Sequence, residues 1–229
     1  PIEKLHMVKC ATCGLSFVAE DFPRDVILGF YQRDVTPEEH FAGREDKHAI
    51  FHFILDGFRV PRGRLLDVGS FSGSLMFEAR QAGWQVQGVD INRRYVAFCR
   101  ERLGFEVFLG FLEEANFPDG HFDAVTMIDV LEHLRDPLET LREVRRVLRP
   151  GGEVAVSVPN FPFQSLKERV RIRLGRPGGL PAISHLSHFT FESLTMVLER
   201  AGFSGVRHAV HPVQIWPRRH SRNGADDLR

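Results

Sequence analysis

The sequence predicts an α/β fold: a mostly parallel sheet with helices on both faces. Three observations carry this. From Leu65 onward, short apolar runs of strand length alternate with stretches of helical periodicity. Five such runs follow one another with helical patterns between them, and strands separated by helices imply right-handed βαβ units. The runs are also nearly continuous in apolar character, as a sheet buried on both faces requires.

The elements follow in order. LLDVG (65–69) is the first strand, and residues 74–82 form a helix with Leu75, Met76, Ala79 and Ala82 on one side. WQVQGVD (84–90) is the second strand and residues 93–103 the second helix. Residues 106–109 make a short third strand, and FDAVTMID (122–129) a fourth. Residues 137–148 form a helix facing inward through Leu138, Leu141, Val144 and Leu148. Arg149-Pro150-Gly151-Gly152 ends it, with glycine supplying a left-handed cap, and EVAVSVP (153–159) is the fifth strand. Ahead of the sheet, Ile50, Phe53, Ile54 and Phe58 mark one face of an amphipathic helix that Pro61-Arg62-Gly63 breaks. The chain thus divides into an N-terminal extension (1–60), an α/β domain (61–216) and a tail (217–229) that reads as disordered.

Composition narrows the function classes. The 229 residues carry 30 Lys plus Arg and 30 Asp plus Glu, a formal charge of zero. A neutral balance offers no bulk charge for nucleic acid or an anionic membrane, so neither partner is expected. No apolar run approaches the ~18 residues of a membrane span, and no signal-peptide pattern is present. Three cysteines make no disulfide framework, so a reducing cytoplasm is the expected location.

In a parallel sheet, ligands bind outside the carboxyl ends of the strands. At the first end stands LLDVGSFSGSL, where Gly69 and Gly73 permit a tight strand-to-helix turn and close approach of a ligand to the backbone. At the second stands GVDIN, with Asp90 placed 21 residues after Gly69. A carboxylate there accepts hydrogen bonds from both hydroxyls of a ribose. A nicotinamide dinucleotide would call for G-x-G-x-x-G, and this chain has Phe71 and Ser74 where the second and third glycines would stand. It also places Asp67 inside the first strand. A carboxylate there repels a pyrophosphate but suits ammonium and sulfonium charges, which favours S-adenosylmethionine. Asp67 has a plainer alternative as a buried strand-end carboxylate capping the turn.

These motifs resemble the class I methyltransferases. The segments that carry the resemblance are LLDVGSFSGSL, GVDIN, FPDGHFDAVTMIDVLEHLRDP, VLRPGGEVAVSVPN and HLSHFTFESLTMVLERAGF. They lie between Leu65 and Phe203, a span of about 60% of the chain. Within the class they are similar to the small-molecule branch that includes ubiquinone-biosynthesis O-methyltransferases and sugar and natural-product methyltransferases. The resemblance implies a Rossmann-like, seven-stranded sheet whose last strand, for which residues 213–216 are the candidate, is antiparallel. It implies that Asp67, Gly69 and Gly73 line the methionine side of the cofactor, with Ser70 and Phe71 in the same cofactor-binding turn. Asp90 and Ile91 then hold the ribose, and Asp129 lies at the crevice. Two positions depart from the family pattern. Phe71 replaces the usual central glycine, so its ring must point away from the cofactor or narrow the pocket. Phe111 stands where many relatives carry an acidic residue for the adenine amine, which leaves adenine to the backbone around Leu112 and to apolar stacking.

The reaction end follows the fourth strand, where Glu132 and His133 lie within one turn of Asp129. Imidazole is the usual base near neutral pH, and His133 is the first candidate to take a proton from an acceptor hydroxyl. The same cluster could hold magnesium, lowering the pKa of that hydroxyl, or Glu132 and His133 could simply cap the turn. His185 is the second candidate base, while His188 is better read as structural beside the Thr190 cap. Residues 160–190 read as a substrate-covering insertion with a basic helix over 164–174, whose charges mark either a solvated face or a contact to an anionic acceptor. The expected partner is a small-molecule acceptor methylated at oxygen, nitrogen or carbon. A non-catalytic cofactor-binding module is the alternative. Finally, Cys10 and Cys13 resemble one knuckle of a zinc ribbon; a structural zinc wants four ligands, and His6 is the nearest third.

Overall fold

The computed structural model describes residues 6–32, 36–159, 173 and 185–210. It opens with a hairpin of β1 (Met7–Lys9) and β2 (Ser16–Val18), followed by α1 (Arg24–Tyr31), α2 (Pro37–Ala42) and α3 (His48–Asp56). The α/β unit begins with β3 (Arg64–Val68), α4 (Ser74–Gln81), β4 (Gln85–Asp90), α5 (Arg93–Glu101) and β5 (Glu106–Leu109). It continues through β6 (Phe122–Ile128), α6 (Pro137–Val147) and β7 (Leu148–Ser157). After residues 160–184, of which only Arg173 is among the described residues, come β8 (Ser187–His188) and α7 (Phe191–Arg200).

Five strands form a wholly parallel sheet in the order β5-β4-β3-β6-β7. The order reverses at β3, between β4 and β6, so the crevice of this Rossmann-like sheet opens beyond Val68. The candidate for a final strand, 213–216, and the basic helix of 164–174 apart from Arg173 lie outside the described residues. Leu66, Val125, Met127, Leu141 and Val144 are fully buried where α6 packs on one face of the sheet; Leu65, Ala124, Leu75, Ala79, Phe51 and Leu55 fill the other face. Side chains of a strand alternate between faces, which is why neighbours such as Leu65 and Leu66 enter different clusters.

Two local expectations need correction. The buried stripe of α3 runs through Phe51 and Leu55, continuing to Phe58, while Phe53 is exposed. Apolar residues sit on adjacent faces of this helix, so periodicity alone selected a stripe one residue away. Second, Arg149-Pro150-Gly151-Gly152 does not cap α6. The helix ends at Val147, and Leu148 already pairs with Phe122 as the start of β7. Gly151 is left-handed, but within an irregular stretch of strand. Within the N-terminal extension, β2 pairs antiparallel with β8, joining the hairpin to the segment that carries His185 and His188.

Candidate functional site

The turn between β3 and α4 forms the floor of the crevice. Gly69 and Gly73 both adopt positive φ, at 74° and 75°. A β-carbon on Gly69 would lie 2.4 Å from Val130 Cγ2, and one on Gly73 would lie 2.9 Å from Cys99 Sγ. Both glycines are therefore demanded by backbone shape and by space. The amides of Gly69 and Ser70 donate to the Val89 carbonyl, which ties the turn to β4. The Ser70 hydroxyl is buried without a hydrogen-bond partner among the described residues and packs toward Gly88 of β4.

Phe71 takes φ 50°, a left-handed backbone unusual for a bulky residue. Its ring packs against His40 and Tyr95, with centroids 4.8 and 4.1 Å away, so it turns toward α2 and α5. Its amide donates to Asp90 Oδ2 at 2.8 Å, and the Asn92 amide donates to Asp90 Oδ1 at 2.7 Å. Each oxygen of an ionised carboxylate has a second acceptor direction, so Asp90 can still receive two hydroxyls. Burial raises the pKa of Asp90, opposed by these amides.

Asp67 lies beneath the turn, wholly buried, and accepts a 2.7 Å hydrogen bond from Thr126 Oγ1. Burial pushes its carboxyl up to about 7, against the pull of Thr126, and the charge of Asp90 adds to the rise. Thr126 is a polar residue at the otherwise apolar centre of β6, opposite Asp67 of β3.

Beyond β4 and β5 a cleft of about 390 Å³ is lined by Arg24, Gln32, Ile91, Phe111 and Glu114, among others. Phe111 faces it, whereas the Leu112 side chain belongs to the core. The roof is α1. Arg24 pairs with Glu114 at 2.5 Å and stacks 3.9 Å over the Phe111 ring, while Gln32 Nε2 donates to the Ile91 carbonyl at 2.6 Å. Nothing in the motif spacing pointed to α1, because its contacts are made by side chains remote in sequence.

Past β6, Asp129 is left-handed at φ 55° and exposed, its amide donating to the Ser157 carbonyl. Glu132 is almost fully buried, and neither carboxyl oxygen has a hydrogen-bond partner among the described residues. Burial pushes it up to about 8, with the charge of Asp129 adding to the rise. His133 Nε2 lies 3.9 Å from Glu132 Oε1, and the His133 and His185 rings meet edge to face at 4.9 Å. One ligand atom from each of Glu132, His133 and His185 falls within 4.8 Å of the others. The trio expected around a cation was Asp129, Glu132 and His133; the close trio instead takes His185 from the strand-side segment. Burial lowers the pKa of His185, opposed by the charge of Asp129. Tyr31, unflagged in the sequence, brings its ring edge to face with His133 at 5.8 Å.

His188 is buried within β8, with its pKa lowered chiefly by burial, and Thr190 caps α7 through a hydrogen bond from the Ser193 amide. Cys10 and Cys13 lie in the turn of the first hairpin, where the backbone of Cys13 and Thr12 pulls the Cys10 thiol down to about 7. That is the local shape of a metal knuckle. Among the described residues, however, neither thiol joins a group of three candidate ligands, and His6 is engaged by Glu20 at 2.7 Å.

Residues 40–208 match the family of methyltransferase domains. The chain belongs to this family. The match spans the Gly69–Gly73 turn, Asp90, and the Glu132, His133 and His185 group. An O-methyltransferase of ubiquinone biosynthesis from Aromatoleum aromaticum is 32% identical over 108 residues, 44% of this chain and 46% of the relative. One of the same name from Alkalilimnicola ehrlichii is 34% identical over 103 residues, 42% of each chain. The chain therefore spans less than half the length of these relatives. A SAM-dependent methyltransferase of known structure from Archaeoglobus fulgidus superposes with a TM-score of 0.58 at 26% identity, covering 74% of both chains. The domain belongs with the S-adenosylmethionine-dependent methyltransferases, and the Asp90 carboxylate at the end of β4, with a second acceptor direction on each oxygen, suits the ribose of that cofactor. Among the described residues no helix is long and apolar enough to cross a membrane.

Proposed function

We propose that the domain methylates a hydroxyl group of a small-molecule acceptor, with His133 as the general base and His185 beside it. The observation that carries this reading is the convergence of Glu132, His133 and His185 just beyond β6, next to the cofactor turn. The names of the ubiquinone-biosynthesis relatives support oxygen as the acceptor atom. When bound, S-adenosylmethionine supplies an electrophilic methyl group on a sulfonium. Gly69 and Gly73 let the backbone close around it, Asp90 holds the ribose, and Ile91 with Phe111 lines the adenine side. Asp67 places negative charge beneath the methionine portion. His133 accepts the acceptor's proton, and the imidazolium so formed draws the buried Glu132 carboxyl beside it toward its ionised form. The remaining rate enhancement comes from holding acceptor and methyl group in line.

A second reading has Glu132, His133 and His185 holding a divalent cation that binds the acceptor hydroxyl. It rests on the same 4.8 Å grouping. Labelled cofactor offered to a panel of phenols and alcohols separates the two. His133→Ala should cut methyl transfer roughly 10²–10⁴-fold without moving cofactor affinity. Activity abolished by a chelator and restored by magnesium would assign the cation. Full activity in both His133→Ala and His185→Ala, with no metal present, would refute both.

A further inference from the structure

On the opposite side of the sheet from α6, a second cluster stands apart from the crevice. Glu78 lies on α4 between Leu75 and Ala79, in the apolar seam that Phe51 and Leu55 of α3 close. It is only 7% exposed. A carboxylate in such a seam is costly unless it is paired or ligates a cation. Its neighbours are two imidazoles, His48 and His52, one turn apart on the same edge of α3. Glu78 Oε2 lies 3.2 Å from His48 Nδ1 and 3.4 Å from His52 Nε2, and the two rings stand 4.2 Å apart. One ligand atom from each residue falls within 4.8 Å of the others.

We propose that His48, His52 and Glu78 form a divalent transition-metal site of the zinc class, which clamps α3 to α4. The spacing is the argument. Tetrahedral zinc with bonds of about 2.0–2.1 Å places neighbouring ligand atoms about 3.3–3.4 Å apart. Both carboxylate–imidazole distances already match that edge, so a cation could enter with little movement of the backbone. Two imidazoles and one carboxylate suit zinc, cobalt or nickel, whereas magnesium and calcium prefer all-oxygen sets. Both histidines are substantially exposed at the open side, where water completes the coordination. The cation would neutralise Glu78 and fix α3 against the helix whose N-cap is Gly73, the end of the cofactor turn.

The test is zinc titration of the intact chain, followed by calorimetry and thermal melting. The same measurements are made on His52→Ala, Glu78→Gln, Cys10→Ser/Cys13→Ser and His185→Ala. The intact chain should bind zinc and gain roughly 5–10 °C in melting temperature at saturation. One equivalent and most of that gain should vanish in His52→Ala and in Glu78→Gln. Both should persist when the cysteines or His185 are replaced, since those changes touch the two rival ligand groups. His52 is at the surface, so its loss leaves the fold intact, and circular dichroism without metal verifies this. Cobalt bound in the cysteine-free variant should show d–d absorption without thiolate charge transfer. The proposal is overturned if the intact chain binds no zinc. It is equally overturned if His52→Ala and Glu78→Gln bind as many equivalents, with the same thermal gain, as the intact chain.

Discussion

Asp90 shows how one side chain serves both loop and ligand. Its two oxygens hold the amides of Phe71 and Asn92, which shapes the turn, and each keeps a second acceptor direction. Replacing it by alanine removes a charged acceptor, so cofactor affinity should fall by about 1.5–3 kcal/mol in calorimetry. The melting temperature of the free protein should drop as well, because the Phe71 amide loses its partner. Unchanged affinity would remove Asp90 from the ribose site. Gly69 offers a complementary test at the same scale. Gly69→Ala must hold a left-handed backbone and press a methyl group into Val130, at a cost of about 1–3 kcal/mol for the backbone alone. Val130→Ala in the same chain should recover the steric part and leave the backbone part. Complete recovery in chemical denaturation would show that φ at this position carries no strain.

At the scale of elements, the hairpin and β8 tie the N-terminal segment to the reaction end. The Val18 amide donates to the Leu186 carbonyl at 2.9 Å, one residue beyond His185. Val18→Pro deletes that donor and should loosen β8. Methyl transfer should then fall at least tenfold, a change of about 1.4 kcal/mol in barrier, with cofactor affinity nearly unmoved. Equal losses of both would instead indicate general unfolding. This pairing was not legible in the sequence, since two- and three-residue strands carry no periodicity and their register is set across some 170 residues of chain. The five parallel strands were legible, because each is a dense apolar run ending at a polar or glycine signal. Glu132, His133 and His185 were legible as residue types at strand ends. Their grouping was not, since His185 arrives through β8. The α1 roof and the burial of Glu78 stayed hidden for a similar reason: both depend on which helix face meets a distant partner.

At the scale of the whole molecule, buried carboxyls govern the response to pH. Asp67 is pushed up to about 7 and Glu132 to about 8, both chiefly by burial. The folded chain therefore binds more protons than the unfolded one between about pH 4 and pH 8. Their contribution to stability is whole below the unfolded values near 4 and is lost as pH climbs through the folded values. Asp123 acts in the opposite sense. Arg149 at 2.6 Å holds its carboxyl below the usual range, so its contribution is present at neutral pH and fades as the solution becomes acidic. The melting temperature of the free protein should thus pass through a maximum on the acidic side of neutrality and decline toward pH 8. Glu132→Gln and Asp67→Asn should each flatten the decline. The cofactor adds a sharper test of Asp67. A cationic ligand above it favours the ionised carboxylate and lowers its folded pKa, so proton release accompanies binding below about pH 7. Affinity for S-adenosylmethionine should therefore strengthen as pH rises from about 5 to 8. The gain should be smaller for S-adenosylhomocysteine, which lacks the sulfonium charge, and should disappear in Asp67→Asn. Equal pH slopes for the two ligands would show that Asp67 does not respond to the sulfonium, and the same slope in Asp67→Asn would place the titrating group elsewhere.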